Sequence, residues 1–239
     1  MRLDELSWTD ARDADADLAL LPVGSTEQHG PHAPLGVDVF SATAIAEAGA
    51  EAYDGAAVVA PTIPVGVAEE HRAFDGTMWV GEDAFRAYVG GSLRSLADTF
   101  DRVVVVNGHG GNTNALREVC ARVTRDGDGY AVPFTWFDVV DPDVPLGHGG
   151  PVETALMLHC RPDLVREERF DEAADGMGIA FGEFVAGTNL AYDFDEFSES
   201  GNLGDPNEAS AALGEELLDE AAAALADVMD AVKARELQS

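Results

Sequence analysis

The sequence predicts an α/β fold with three layers, in which helices cover both faces of a mostly parallel sheet. Short apolar strands alternate with helical patterns along the 239 residues, and this order is typical of parallel strands joined by helices. The run VVVVN at 103–107 is apolar on both faces, as expected of a strand buried between two helical layers. Polar clusters follow three of the strands. The length suits one domain, which we expect to span 1–239.

The individual elements are predicted from local patterns of apolar residues. The run LALLPV at 18–23 ends at a glycine-bearing turn, and Asp38 then opens an alanine-rich helical pattern. Pro133 interrupts a later strand and places it at an edge of the sheet, because proline has no backbone donor. Residues 161–205 lack a clear period, which leaves both a lid and a subunit contact open. The predicted strands are 18–23, 56–60, 103–107 and 130–137, and the predicted helices are 38–53, 82–98, 112–124, 151–160 and 208–233.

The net charge of the chain limits the kinds of molecule that we expect the protein to bind. The sequence has 14 basic and 45 acidic residues, which gives a net charge of −31 at pH 7. Phosphate backbones and anionic membrane surfaces both attract basic residues, so we expect no nucleic-acid partner and no membrane partner. The N-terminus has no apolar signal segment, so we expect a cytoplasmic protein. Acidic residues spread along the chain, with Lys233 as the one lysine, indicate adaptation to molar salt in a halophile.

Side chains that could bind metal follow the first, third and fourth predicted strands. The carboxyl ends of parallel strands lie at one edge of a sheet, so three loops would bring these side chains together. Glu27 and His29 are two residues apart and would share one face of an extended segment. Asp38 is either a ligand or a helix N-cap, where a carboxylate is favoured without metal. His109 lies between glycines, where we expect its imidazole to face solvent, and Glu153 lies near the start of a later helix.

The chemistry of these donors points to a pair of metal ions. Oxygen and nitrogen donors without thiolate suit zinc or manganese. Three carboxylates bring −3 against +4 from two divalent cations, and one shared carboxylate can bridge two ions ~3.5 to 4 Å apart. His148, whose unperturbed pKa is ~6.5, is the candidate general acid for a leaving nitrogen. Glu153 is a candidate catalytic carboxylate as well as a candidate ligand.

Other residues near these loops each have two open interpretations. His32 either orients a ligand or is a surface histidine. His71 could line the pocket from a neighbouring loop. Gly110 and Gly111 either let a loop approach the ions closely or cradle a phosphate, and Asn112 belongs to the same predicted substrate-side group. The phosphate alternative is a nucleotide-binding module without chemistry of its own, and the sequence lacks the lysine of a P-loop.

Four motifs are similar to those of one enzyme family. They are GSTEQHGPHAPLGVD at 24–38, EHRAFDGT at 70–77, NGHGGN at 107–112 and HGGPVET at 148–154. In this order they resemble the creatininase (creatinine amidohydrolase) family, in its N-G-H-G-G-N branch. The resemblance implies a creatininase-like α/β fold and a homo-oligomer that is commonly a hexamer. It also implies hydrolysis of an amide C–N bond in a small-molecule substrate.

The same resemblance implies two divalent metal ions per subunit, Zn²⁺ or Mn²⁺, with Fe²⁺ as an alternative. By position, the ligands of one metal would be Glu27, Asp38 and His109. Asp38 would also bridge to a second metal, held by His29.

The sequence departs from creatininases proper at two positions. They carry a glutamate where this chain has Gly111, and Glu153 is its natural substitute here. They also carry a glutamate where this chain has Gly147. A small, possibly cyclic, amide is the leading substrate, and a peptide of the mycofactocin type or a formamide is the alternative within the family.

Overall fold

Four parallel strands form the centre of the molecule, which the computed structural model describes for residues 1–237. The strands are β1 (Leu18–Val23), β2 (Ala57–Val59), β3 (Arg102–Asn107) and β4 (Tyr130–Thr135). They lie in the order β2-β1-β3-β4, and each neighbouring pair is parallel. The helices are α1 (Trp8–Arg12), α2 (Val37–Ala52), α3 (Glu82–Phe100), α4 (Thr113–Asp126), α5 (Pro151–Cys160), α6 (Phe170–Gly176) and α7 (Ala211–Ala234). A small antiparallel hairpin pairs β5 (Phe184–Val185) with β6 (Thr188–Asn189).

Alternate side chains of the sheet fill two separate cores. Leu20 and Val104 pack in the core on the side of α2, α5 and α7, while Leu21 and Val105 pack on the side of α3 and α4. The central strands are therefore covered on both faces, as the predicted three-layer fold requires. Within residues 1–237, no helix is both long and apolar enough to cross a membrane.

The edge strand and the following segment refine the predicted boundaries. β4 contains Pro133 and pairs only with β3, so the proline lies at the edge of the sheet as predicted. The predicted strand extends two residues too far, because 136–138 turn into a short 3-10 helix. The segment 161–205 contains α6 and the β5–β6 hairpin, which are too short to give a detectable period.

Three helix starts differ from the prediction, at α2, α4 and α7, and α4 begins at Thr113, one residue later than predicted. α2 begins at Val37 with Gly36 as its N-cap, so Asp38 lies in the first turn and its interpretation as an N-cap is wrong. α7 begins three residues later than predicted, because the Ser210 side chain accepts the hydrogen bond of the Leu213 N–H and so caps the helix there.

Backbone contacts bring the three polar loops to one edge of the sheet. The Gly108 N–H donates to the Val23 carbonyl, which joins the ends of β1 and β3. A Cβ on Gly108 would collide with the carbonyl oxygen of Asp38, so glycine is needed for the β3 loop to approach α2. The loop after β4 is held in turn by two backbone hydrogen bonds between His148 and Leu203.

Candidate metal centre

Buried acidic and histidine side chains converge at the carboxyl edge of the sheet. The first group joins Glu27 from the loop after β1, Asp38 from α2 and His109 from the loop after β3. His109 Nδ1 lies 3.1 Å from Glu27 Oε1 and 3.4 Å from Asp38 Oδ2. The prediction that His109 faces solvent is wrong. The residue is only 5% exposed, and its Nε2 bonds the covering backbone carbonyl of Val67 at 2.7 Å.

A second group of donors lies against Asp38 of the first. His29, His148 and Glu153 offer ligand atoms that lie within 4.8 Å of one another. His29 Nε2 is 3.1 Å from Asp38 Oδ1 and 3.7 Å from Glu153 Oε2. Asp38 therefore turns one carboxylate oxygen toward His29 and the other toward His109, so that a single side chain contacts both groups.

Backbone carbonyls fix the ring orientation of three histidines. His29 Nδ1, His109 Nε2 and His148 Nε2 each lie within hydrogen-bond distance of a carbonyl oxygen, at 3.1, 2.7 and 2.5 Å. A carbonyl only accepts, so each of these nitrogens donates a proton outward. The other nitrogen of each ring is then directed toward the carboxylates, which is the arrangement common in histidines that bind metal.

The electrostatics of the cluster favour bound cations. Both carboxylate oxygens of Glu27 and Oδ2 of Asp38 are buried and have no hydrogen-bond partner among the residues described. Burial opposes ionisation of Glu27, but the histidines outweigh it, His109 first, and lower the pKa of Glu27 to about 2. Burial opposes protonation of His29 and His109, yet the carboxylates raise the pKa of each to about 10. Protons thus supply positive charge where divalent ions would supply it, and the donor set fits such ions.

Burial favours the neutral form of two further histidines of the cluster. Burial lowers the pKa of His148 well below its usual value and that of His71 to about 2. Their rings stack with centroids 4.4 Å apart, and His71 Nε2 lies 3.4 Å from Glu27 Oε1. Glu27, His71 and His148 form a third group of donors close enough to hold an ion. The role of His148 as a general acid stays a prediction, and this neutral ring would first have to accept a proton.

The cluster opens into a cavity of about 350 Å³. Its polar wall includes His71, His109, His148, Glu153 and the carboxylate of Glu70, whose pKa is raised by burial. The rest of the lining is apolar and comprises Trp136, Phe137, Leu146, Val152, Phe181 and Phe194. Phe194 packs directly against His71, with ring centroids 4.1 Å apart. A substrate in this cavity would contact apolar side chains beside the polar donors of the cluster.

The structure places the remaining predicted residues around this cavity. Gly110 and Gly111 line it. Asn112 lies behind it, donating to the Gly24 carbonyl at 3.0 Å and accepting from the Val67 N–H at 3.0 Å. His32 is buried and does not line the cavity. Its Nε2 lies 2.9 Å from Thr154 Oγ1 on α5, the helix that carries Glu153, so the interpretation as a surface histidine is wrong.

The structure explains why position 111 is a glycine. A Cβ there would collide with the Val67 carbonyl and lie 2.5 Å from His109 Nε2 and 3.1 Å from Glu70 Oε1. The loop therefore has no room for a glutamate at position 111, and the Glu70 carboxylate lies beside the place where that side chain would begin. The nearby carboxylates also disfavour a phosphate at this loop, because like charges repel.

Sequence reasoning missed several residues of the centre and of its cavity. Gln28 and Glu70 lie inside two of the recognised motifs, but their contacts are with segments distant in the sequence. Phe181 and Phe194 come from the aperiodic segment 161–205, where no pattern distinguishes a cavity wall from a surface loop. Only the two motifs could have drawn attention to Gln28 and Glu70.

Comparison with known proteins gives consistent relatives. The sequence family described as creatininase, creatinine amidohydrolase, matches residues 4–229. The mycofactocin precursor peptide peptidase of Mycolicibacterium smegmatis is 38% identical over 215 residues, covering 88% of this chain and 83% of that protein. The creatinine amidohydrolase of Pseudomonas putida is 35% identical over 195 residues, covering 69% and 74%.

Solved structures give the same result for the fold. A crystal structure of creatinine amidohydrolase superposes with a TM-score of 0.84 at 27% identity, covering 98% of each chain. A mutant creatininase of Zn–Zn type has a TM-score of 0.83 at 27% identity and covers 98% of each chain. A manganese creatininase has a TM-score of 0.80 at 26% identity, covering 98% of this chain and 99% of that one. The predicted three-layer α/β fold is confirmed.

Proposed function

The chain belongs to the creatininase family, and we propose that it is a hydrolase that uses two divalent metal ions to cleave an amide bond of a peptide. The observation that carries this proposal is the buried carboxylate of Asp38, whose two oxygens face His29 and His109 separately. Two ions that share one carboxylate are the usual arrangement in two-metal hydrolytic sites.

The residues that would hold the ions follow from these contacts. Glu27, Asp38 and His109 would hold one ion, and Asp38, His29 and Glu153 the other. Zinc and manganese suit the donors, and similar solved structures include zinc and manganese forms; iron is an alternative. Bound divalent ions would lower the pKa of water and polarise the substrate carbonyl.

His148 is the proposed proton carrier of the reaction. Its Nε2–H donates to the backbone carbonyl of Gln28, which leaves a lone pair on Nδ1, 3.7 Å from Glu27 Oε1. Nδ1 can take a proton from the attacking water and return it to the leaving nitrogen. The ring stays in one orientation throughout, because the outer hydrogen bond does not change.

A peptide substrate is supported by the cavity and by the two departures from creatininases. The apolar wall around Trp136, Phe181 and Phe194 suits an amide flanked by an apolar side chain. Gly147 and Gly111 leave no room for the two glutamates of creatininases, because a Cβ at Gly147 would collide with the Leu203 carbonyl. The relative with 38% identity is a peptide peptidase.

A small cyclic amide is the second candidate substrate. It is favoured by the superposition on creatinine amidohydrolase over 98% of the chain. A compact amide would contact the polar donors and leave part of the apolar lining uncovered.

A substrate panel tests the proposal and separates the two candidates. The protein is stripped with chelator, reloaded with Zn²⁺ or Mn²⁺ in molar KCl, and analysed for metal by elemental analysis. Creatinine, small lactams and short peptides with an apolar residue beside the amide are then assayed. We expect about two ions per chain and cleavage of peptides. Preferential turnover of creatinine or lactams would support the second candidate, and failure to bind metal would contradict the function altogether.

A further inference from the structure

We propose that Gln28 is a positioning residue that fixes which nitrogen of His71 faces the metal centre and thereby keeps His71 out of the set of metal ligands. The assignment of the ring proton stands on hydrogen-bond geometry alone. Its consequence for metal binding rests on the proposed function.

The orientation of the Gln28 amide is unambiguous. The side chain is buried, with Oε1 2.9 Å from the Gly30 N–H and Nε2 2.6 Å from the Gly201 carbonyl oxygen. The N–H can only donate and the carbonyl can only accept, so the reversed amide would place like groups against each other at both contacts. Nε2 is therefore the donor on the histidine side.

The two hydrogens of this amide nitrogen have two acceptors. One goes to the Gly201 carbonyl, and the other goes to His71 Nδ1 at 2.7 Å. His148 Nε2 also lies 3.1 Å from the amide nitrogen, but it carries its own proton because it donates to the Gln28 backbone carbonyl. His71 Nδ1 must then be the acceptor, and the neutral ring carries its proton on Nε2.

The position of that proton decides what His71 can do. Its Nε2 lies 3.4 Å from Glu27 Oε1, so the N–H is directed toward the carboxylate. A protonated nitrogen has no lone pair for a metal. Of the three donor groups in the cluster, the one formed by Glu27, His71 and His148 is therefore excluded as a metal site. The other two groups remain, and Asp38 of one contacts His29 of the other.

His71 differs from the other histidines in what holds it. His29, His109 and His148 donate to backbone carbonyls, which no side-chain substitution removes. His71 alone among these four accepts from a side chain, so its ring proton can be moved by changing one residue. This difference makes the proposal testable and supplies an internal control in the same protein.

The first experiment locates ring protons by NMR in metal-free protein labelled with ¹⁵N at histidine, using long-range ¹H–¹⁵N correlations at about pH 8. Wild type should show His71 with the proton on Nε2. In Gln28→Met, which keeps the side-chain length and removes both polar groups, the Nε2–H form should fall by at least half. In Gln28→Glu an acceptor faces Nδ1, so the proton should move to Nδ1. His148 should be unchanged in both variants.

Ser198→Ala is the matched control for loop loosening. Ser198 Oγ donates to the Asn202 carbonyl at 2.8 Å and so supports the turn at Gly201 without touching His71. This variant should keep the wild-type tautomer. The proposal is overturned if His71 retains Nε2–H in both Gln28 variants, if wild type carries the proton on Nδ1, or if Ser198→Ala moves the proton as far as Gln28→Met does.

The second experiment titrates the same proteins with Zn²⁺. Wild type should bind two ions, whereas Gln28→Met should bind an additional weaker ion or change its affinity by roughly 10- to 100-fold, the usual effect of losing a residue that orients a ligand. Unchanged stoichiometry and affinity would overturn the role in metal selection. Failure of wild type to bind Zn²⁺ would overturn the proposed function instead, and the NMR result would still decide the tautomer.

Discussion

Carboxylates occupy two contrasting regions of this protein. At the surface they are solvated, and pairs such as Arg94–Asp128 join side chains that are 44% and 40% exposed. At the carboxyl edge of the sheet, Glu27 and Asp38 are buried with oxygens that lack hydrogen-bond partners among the residues described. An exposed pair contributes about 0–1 kcal/mol, whereas a buried charge without its partner costs several kcal/mol. The many surface carboxylates therefore indicate the salt conditions to which the protein is adapted, and the few buried carboxylates indicate where it binds metal.

The largest effect should come from neutralising the shared buried carboxylate. In Asp38→Asn, metal affinity should fall by roughly two to four orders of magnitude, because removing one partner of a buried charge pair costs about 3–5 kcal/mol. Isothermal titration with Zn²⁺ measures the loss. Asp141→Asn, at an exposed position in the loop after β4, is the matched control and should bind metal as wild type does. Two tightly bound ions in Asp38→Asn would contradict the assignment.

The next largest effect should separate catalysis from metal binding. His148→Ala should lower kcat by roughly 10²- to 10⁴-fold, the range for loss of a general acid–base group, while elemental analysis still finds two ions. If the variant loses its metal together with its activity, His148 is a ligand rather than the proton carrier.

A smaller effect should appear in the pH dependence of stability. Burial lowers the pKa of His32 to about 4, below the value of about 6.5 in an unfolded chain. The unfolded chain therefore binds the extra proton first, and the free energy of unfolding falls by up to about 3 kcal/mol as the pH drops from about 6.5 to about 4. His32→Gln cannot titrate but can still bond Thr154, so urea unfolding should show a smaller decline for the variant. Equal declines would contradict this role.

The smallest expected effect concerns the surface acids. At about 1 M salt the screening length is ~3 Å, which removes most of the repulsion among exposed carboxylates. The melting temperature should therefore rise by roughly 2–4 °C or more between dilute buffer and molar KCl, equivalent to about 1 kcal/mol of stabilisation. Identical melting curves would remove the interpretation of the net charge of −31 as adaptation to salt.

The regular elements could be predicted because they depend on local patterns. Side chains of strand β3 point alternately into the two cores along its six residues. Pro133 indicates an edge strand because proline has no backbone N–H to donate. The exposure of His109 could not be predicted, because the segment that covers it comes from Val67, 42 residues earlier. The contact of Gln28 with Gly201 spans 173 residues and leaves no local signal. The residue types of the metal donors could be predicted from the sequence, but the distant segments that bury these donors could not.

The pairing of His148 with Leu203 sets an order of events during synthesis. Glu27, Asp38 and His109 leave the ribosome well before residues 201–203 do. Residues 201–203, which bond the backbone of His148 and the side chain of Gln28, emerge later. A nascent chain therefore exposes an unfinished set of acidic donors, and the finished centre can form only after residues 201–203 have emerged.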